Sequence, residues 1–287
     1  NPLWRTFLPY RVEYKNITII VEQNQTTMIK IVTLFTYFVL LTAISFGQKL
    51  EVNYQEIVKV NAEEFKGSVK FSTNGKASTI PTDVYNDMIK NMQEPKDFIL
   101  TINKNESSYN KVEKIDNQQG GNGMRVSMSF GDSGNGLFKN LTTKEYLKSV
   151  KSFDKTYTIK DKLTEYKWQL TRETKKLIGF DVKKATAIVD STTTVIAWYA
   201  PSIAIKDGPG IYNGLPGLIL EVEIKNSKNK GIESSTIRAT EVKEVPNLKP
   251  IEKPKDKNTI TNEEYKALNE KAMERLKQMS SEGVSKD

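Results

Sequence analysis

The chain has 287 residues and a formal net charge of +8, and it contains neither cysteine nor histidine. Those two absences exclude disulfides, thiol nucleophiles, histidine general bases, haem held through histidine and every Cys/His zinc site. Lysines are interspersed with acids and no arginine-rich stripe appears, so the basic balance describes a solvated surface and no nucleic-acid partner is expected.

The first methionine is Met28, and residues 1–27 read as a leader or upstream extension outside the mature protein. From Met28 the chain runs through Lys30 into an uncharged stretch, Ile31 to Phe46, with small residues at Ser45 and Gly47. A short positive start, an apolar run and small residues at −3 and −1 describe a signal peptide over 28–47, cleaved between Gly47 and Gln48. The apolar run falls short of the about 20 residues a membrane-spanning helix needs. The mature chain is therefore expected to carry no transmembrane anchor and to be exported, either periplasmic or secreted.

Residues 48–245 read as one β-rich domain. Leu50 to Tyr54, Val69 to Phe71 and Val126 to Phe130 alternate apolar and polar residues, the period of a half-buried strand. Tyr166 to Ile188 fits a hairpin turning near Gly179. Val195 to Tyr199 is apolar on both faces, as a central strand would be, whereas Leu218, Leu220, Val222 and Ile224 face away from Glu221 and Glu223. Strands succeed one another without long helices between them, which favours an antiparallel meander. The predicted fold is mainly β with two helices: an antiparallel curved sheet or half-barrel, and a C-terminal helix. The first helix, Thr82 to Met92, follows Pro81 with Thr82 and Asp83 as its cap. Residues 246–260, rich in proline and lysine, read as a linker. In 261–287, Thr261 and Glu264 form a capping box, with Ile260 placed to staple onto Tyr265. The stripe Tyr265, Leu268, Ala272, Leu276 and Met279 is apolar. It either packs back onto the sheet, docks on a partner, or belongs to an independent tail.

The densest local signal is residues 208–224. Four glycines and two prolines crowd into Gly208 to Gly217, and an apolar strand follows. Such a segment is a built corner, because glycine permits close backbone approach and proline presets φ. Around it stand Ala197-Trp198-Tyr199, Ile203, Ile205, Gly208-Pro209 and Gly214-Leu215-Pro216-Gly217-Leu218-Ile219. Upstream are Lys167 to Leu170, Ile178-Gly179-Phe180 and Lys184-Ala185. This order resembles the GLPGLI family of exported Bacteroidetes proteins across roughly 48–245, with Val182 near the place where members often carry a cysteine. The resemblance implies an exported β-rich protein, often associated with outer-membrane transport, and no known active site.

The chemical candidates are few. Gly131-Asp132-Ser133-Gly134 echoes a serine-protease nucleophile but lacks its histidine, and reads as a turn. Gly208-Pro209-Gly210 opens onto a strand and loses one donor to proline, so it is no phosphate cradle. Glu221 and Glu223, with Asp207 near in sequence, are the carboxylates a glycosidase would use, and alternation assigns the two glutamates to solvent. Trp168, Trp198, Tyr199, Tyr212 and Phe180 read as core, or as the lining of a pocket in a half-barrel. No catalytic residue, metal ligand or cofactor is expected. The leading expectation is a non-catalytic envelope binding or accessory protein whose partner is an outer-membrane transport or envelope component. A carrier of a hydrophobic or anionic small ligand stays open, as does a hydrolase built on carboxylates or Ser/Lys.

Overall fold

The computed structural model describes residues 49–68, 71–73, 76–78, 80–113, 136–152, 155–255 and 258–282. The signal-peptide reading, the Val126–Phe130 strand, the Gly131–Gly134 turn and the side chains of Leu276 and Met279 lie outside the described residues.

The strands are β1 (Lys49–Val60), β2 (Phe71–Thr73), β3 (Lys76–Ser78), β4 (Lys96–Asn103), β5 (Glu106–Lys111), β6 (Leu137–Asn140) and β7 (Glu145–Ser152). They continue as β8 (Lys155–Lys162), β9 (Gln169–Leu177), β10 (Phe180–Ile188), β11 (Thr193–Ala200), β12 (Leu218–Asn226), β13 (Ile232–Glu244) and β14 (Thr259–Ile260). Twelve of them form one sheet, ordered β14-β8-β7-β6-β5-β4-β1-β13-β12-β11-β10-β9. Apart from the parallel β14–β8 pair, neighbours are antiparallel. The first long strand thus sits between two meanders, β4 to β8 and β9 to β13, and joins them.

Connectivity forces this open sheet to curl. The strands β8 and β9 lie near opposite ends of the order, yet only residues 163–168 connect them. Six residues span at most about 24 Å, whereas ten strand spacings laid flat would cover about 48 Å. The inward face is apolar: Tyr54, Phe98, Leu100, Tyr109 and Leu137 share it by register and are all buried. The expected hairpin is present, with its turn at Ile178 and Gly179, both at positive φ, as a two-residue turn matched to strand twist requires. The two-face burial expected of β11 is also found: Val195, Ala197 and Tyr199 are buried on one side, and Trp198 packs on a core cluster from the other.

Among the described residues three helices accompany the sheet, one more than the sequence suggested: α1 (Ala62–Ser68), α2 (Thr82–Gln93) and α3 (Asn262–Glu282). The short α1 was missed because only Phe65 in it is deeply buried, where it packs with Tyr85, Met92, Val58 and Ile232. The apolar face of α2 sits on that cluster through Tyr85, Met88, Ile89 and Met92. Its cap differs from expectation: Pro81 occupies the position and no side chain caps the helix. At α3 the capping box forms as predicted, with the Thr261 N–H donating to Glu264 Oε2 at 2.7 Å and the Glu264 N–H to Thr261 Oγ1 at 3.1 Å. The start of α3 returns to the sheet, since Ile260 and Tyr265 pack on the core and the Asn262 N–H donates to Asp161. Residues 246–255 run over the sheet as well: Lys253 pairs with Glu106 at 2.8 Å and lies over the Phe138 ring. Among the described residues, no helix is long and apolar enough to cross a membrane.

Candidate functional site

The segment between β11 and β12, residues 201–217, fills the curled sheet. Its backbone zips onto the start of β12: the Leu218 N–H donates to Ile203 O at 3.0 Å and the Ile219 N–H to Asp207 O at 2.9 Å. Ile203, Ile205 and Ile211 join the main core cluster, while Leu215 joins Ile219, Tyr199 and Val222 in a second one. The glycine-rich corner is a close-packing device. A Cβ on Gly208 would sit 2.7 Å from Ile219 Cβ. Gly217 holds φ +156°, and a Cβ there would lie 2.8 Å from the Ala200 carbonyl carbon. Pro209, Gly210 and Leu218 are buried; Gly214 and Pro216 face solvent.

Beneath this segment lies an ion pair that sequence reasoning missed. Lys139 on β6 and Asp207 are both fully buried, with Nζ 2.5 Å from Oδ1. The ammonium also donates to Gly208 O at 2.8 Å, and the Gly208 N–H donates to Asp207 Oδ1 at 2.8 Å. Asp207 Oδ2 has no partner. Burial holds Lys139 below the ordinary lysine range, against the attraction of Asp207. Tyr54 donates its hydroxyl to Ile219 O at 2.6 Å, and burial, with Tyr109 and Asp207 nearby, pushes its ionisation well up. Nothing local marked Lys139. Its one sequence signal was a lysine in phase with Leu137, at an inward position of a strand that opens with Leu137 and Phe138.

One of the two glutamates departs from its expected place in solvent. Glu221 is 5% exposed, held by Lys175 Nζ at 2.7 Å and by the Arg238 guanidinium. Two causes account for this correction. An extra residue, Leu220, interrupts the β11–β12 register, so simple alternation fails and Leu218 to Val222 are all buried. Long neighbours then roof the carboxylate, with Lys175 also lying 4.2 Å from the Trp198 ring centre. Glu223 stays half-exposed beside Lys225. Glu56, unmarked by sequence reasoning, is buried with its carboxyl pushed up by desolvation, which Lys96, Ser235 and Lys111 oppose.

The aromatics separate into groups. Tyr166 bridges Trp168 and Tyr212, with ring centres 5.2 and 5.5 Å apart, and the Trp168 indole N–H donates to Asn213 O at 2.9 Å. Tyr199 is buried near them, Trp198 serves the Glu221 cluster, and Phe180 packs on the main core. Each of Glu221, Glu56 and Asp207 lies in its own setting, and among the described residues no three acids gather to hold a metal ion.

A family model described as "N-glycanase peptide, N-terminal domain" matches residues 83–267. Among curated proteins none matches. Two solved structures of PNGF-II, in different space groups, are 22% identical with TM-scores of 0.44 and 0.45. Each match covers 77% of this chain but only 33% and 32% of the PNGF-II chain, so this chain spans about a third of the length of PNGF-II. An uncharacterised conserved protein from Thermus thermophilus is 10% identical over 76% of this chain and 92% of its own, with a TM-score of 0.36. A LolA superfamily protein from Nitrosomonas europaea is 9% identical over 71% and 88%, with a TM-score of 0.29. The family match overturns the resemblance drawn from Gly214 to Ile219. Those six residues answer a packing problem, backbone against Ala200 and two leucines turned inward. A need of that kind does not single out one family, and the outer-membrane transport partner implied by the resemblance loses its basis.

Proposed function

This chain belongs to the N-glycanase peptide N-terminal domain family, and from that membership we propose that it is a non-catalytic accessory domain, exported from the cytoplasm, that supports the enzymatic removal of N-linked glycans without cleaving them. One observation carries the non-catalytic part: the curled sheet is filled by its own segment, with Ile203, Ile205 and Ile211 in the core and Asp207 bound to Lys139. Glycosidases that work through carboxylates use two of them facing each other across a space open to sugar and water. Here Asp207 is sealed, and Glu221 is neutralised by two cations. The same filling argues against a carrier, whose ligand would need the interior. Export follows from the apolar run before Gly47.

The test is direct. Purified chain incubated with a denatured N-glycosylated protein should release no glycan. Release that survives purification to homogeneity would overturn the reading. Mass spectrometry of protein recovered from the producing bacterium should place the mature N-terminus at Gln48, and a species retaining residues 1–27 would remove the export half.

A further inference from the structure

We propose that Lys139 and Asp207 condense to an intramolecular isopeptide bond, a covalent strap between β6 and the segment that fills the sheet. Geometry makes the first case. Both side chains are fully buried and Nζ lies 2.5 Å from Oδ1. The amine is thus held against the carboxyl group whose carbon it would attack. Groups fixed in this way react as though at very high concentration.

Solvation makes the second. A buried ion pair is tolerated when its remaining lone pairs are satisfied, yet Asp207 Oδ2 has no partner. Condensation removes both charges and keeps the polar contacts already present. The Gly208 N–H, 2.8 Å from Oδ1, then donates to the amide oxygen, and the new amide N–H points at Gly208 O, now 2.8 Å from Nζ. The oxygen that leaves is the unpartnered Oδ2.

The step balances without a co-reactant. One proton passes from the Lys139 ammonium to Oδ1, the oxygen it touches, giving a neutral amine and a carboxylic acid. The amine nitrogen attacks Cγ and the C–N bond forms; a second proton passes from nitrogen to Oδ2 on the same carbon, the Cγ–Oδ2 bond breaks, and Oδ2 departs as water with that proton and the one from Oδ1. Burial, which already lowers the affinity of Lys139 for its proton, favours the neutral amine, and exclusion of water protects the product. The bond also has a structural use. In the sheet, β6 and β12 are separated by β5, β4, β1 and β13. Lys139 and Asp207 are 68 positions apart in a chain without cysteine, so no disulfide can fasten that curl.

Peptide mapping of the full chain after complete denaturation tests this. The expected result is a branched peptide joining the Lys139 and Asp207 segments, about 18 Da lighter than their sum through loss of one water. It should be absent from Lys139→Arg, whose guanidinium cannot make the attack. Two separate linear peptides of full mass would overturn the proposal. So would an equal deficit confined to the Asp207 peptide, persisting in Lys139→Arg and cleaved by hydroxylamine, since that identifies a succinimide at the Asp207-Gly208 step. Should Lys139→Arg fail to fold, hydroxylamine resistance of the branched peptide from the unaltered chain decides between the two.

Discussion

Gly217→Ala is the sharpest probe of the corner between β11 and β12. The added Cβ would stand 2.8 Å from the Ala200 carbonyl carbon and 3.0 Å from Pro201 Cα. Both are backbone atoms, so neither can swing away as a flexible side chain would. Overpacking of this kind costs about 1–3 kcal/mol, and placing a non-glycine residue at such a φ costs about 1–3 kcal/mol more. The expected loss is about 4 kcal/mol, or roughly 10 °C in Tm for a domain of this size. Urea and thermal unfolding followed by circular dichroism measure it, with Ser202→Ala, exposed in the same segment, as a control expected within about 0.5 kcal/mol of the parent. A Gly217→Ala melting point within a degree or two of the parent would refute the packing argument, and with it the claim that this segment is an ordered part of the core.

Other outcomes follow from particular groups. Thr261→Ala removes the hydroxyl that accepts from the Glu264 N–H and donates to the Glu264 carboxylate, leaves the Thr261 N–H bond in place, and should cost about 1 kcal/mol, seen as faster amide exchange in the first turn of that helix. Alkaline pH should first stabilise the protein and then destabilise it. Burial pushes Lys148 down to about 8, so between about pH 8 and 10 the unfolded chain binds more protons than the folded one and stability rises with pH. Above about 10 the sign reverses, because burial raises Tyr54, Tyr109 and Tyr146, the last to about 12, and the unfolded chain ionises first. Urea midpoints across pH 7–11 report this, and Lys148→Met should flatten the rising limb. A rising limb unchanged in that variant would assign it to another group.

Much of the fold was legible because it rests on local rules. Alternation located β1 and β12, and an apolar run on both faces located β11. The Ile178-Gly179 turn identified the β9–β10 hairpin, and Thr261 with Glu264 marked the start of α3. Each signal spans a few residues, and each element forms for reasons contained in those residues. The corner at Gly208 to Gly217 was legible in the same sense: its composition announced close backbone contact, and the contacts with Ile219 and Ala200 are what it serves. What it could not announce was a family, since the constraint comes from packing geometry.

The buried charges were illegible for a matching reason. Lys139 and Asp207 come together only because the sheet curls, and that curl is set by a connection of six residues between β8 and β9. Glu221 sits where alternation predicts solvent, but Lys175 reaches it from the edge strand, β9, on the far side of β11 and β10 in the sheet order. Both cases are long-range. A lysine on the inward phase of a short strand, two residues after Leu137, is therefore the one local trace of such a pair. Placing it in phase with Leu137 would have predicted a buried cation, and a buried cation requires an acid. Residues 201–217 contain a single acid, Asp207. That pairing was within reach of the sequence once burial of Lys139 was granted, whereas the roof over Glu221, which depends on an irregular residue at Leu220, was not.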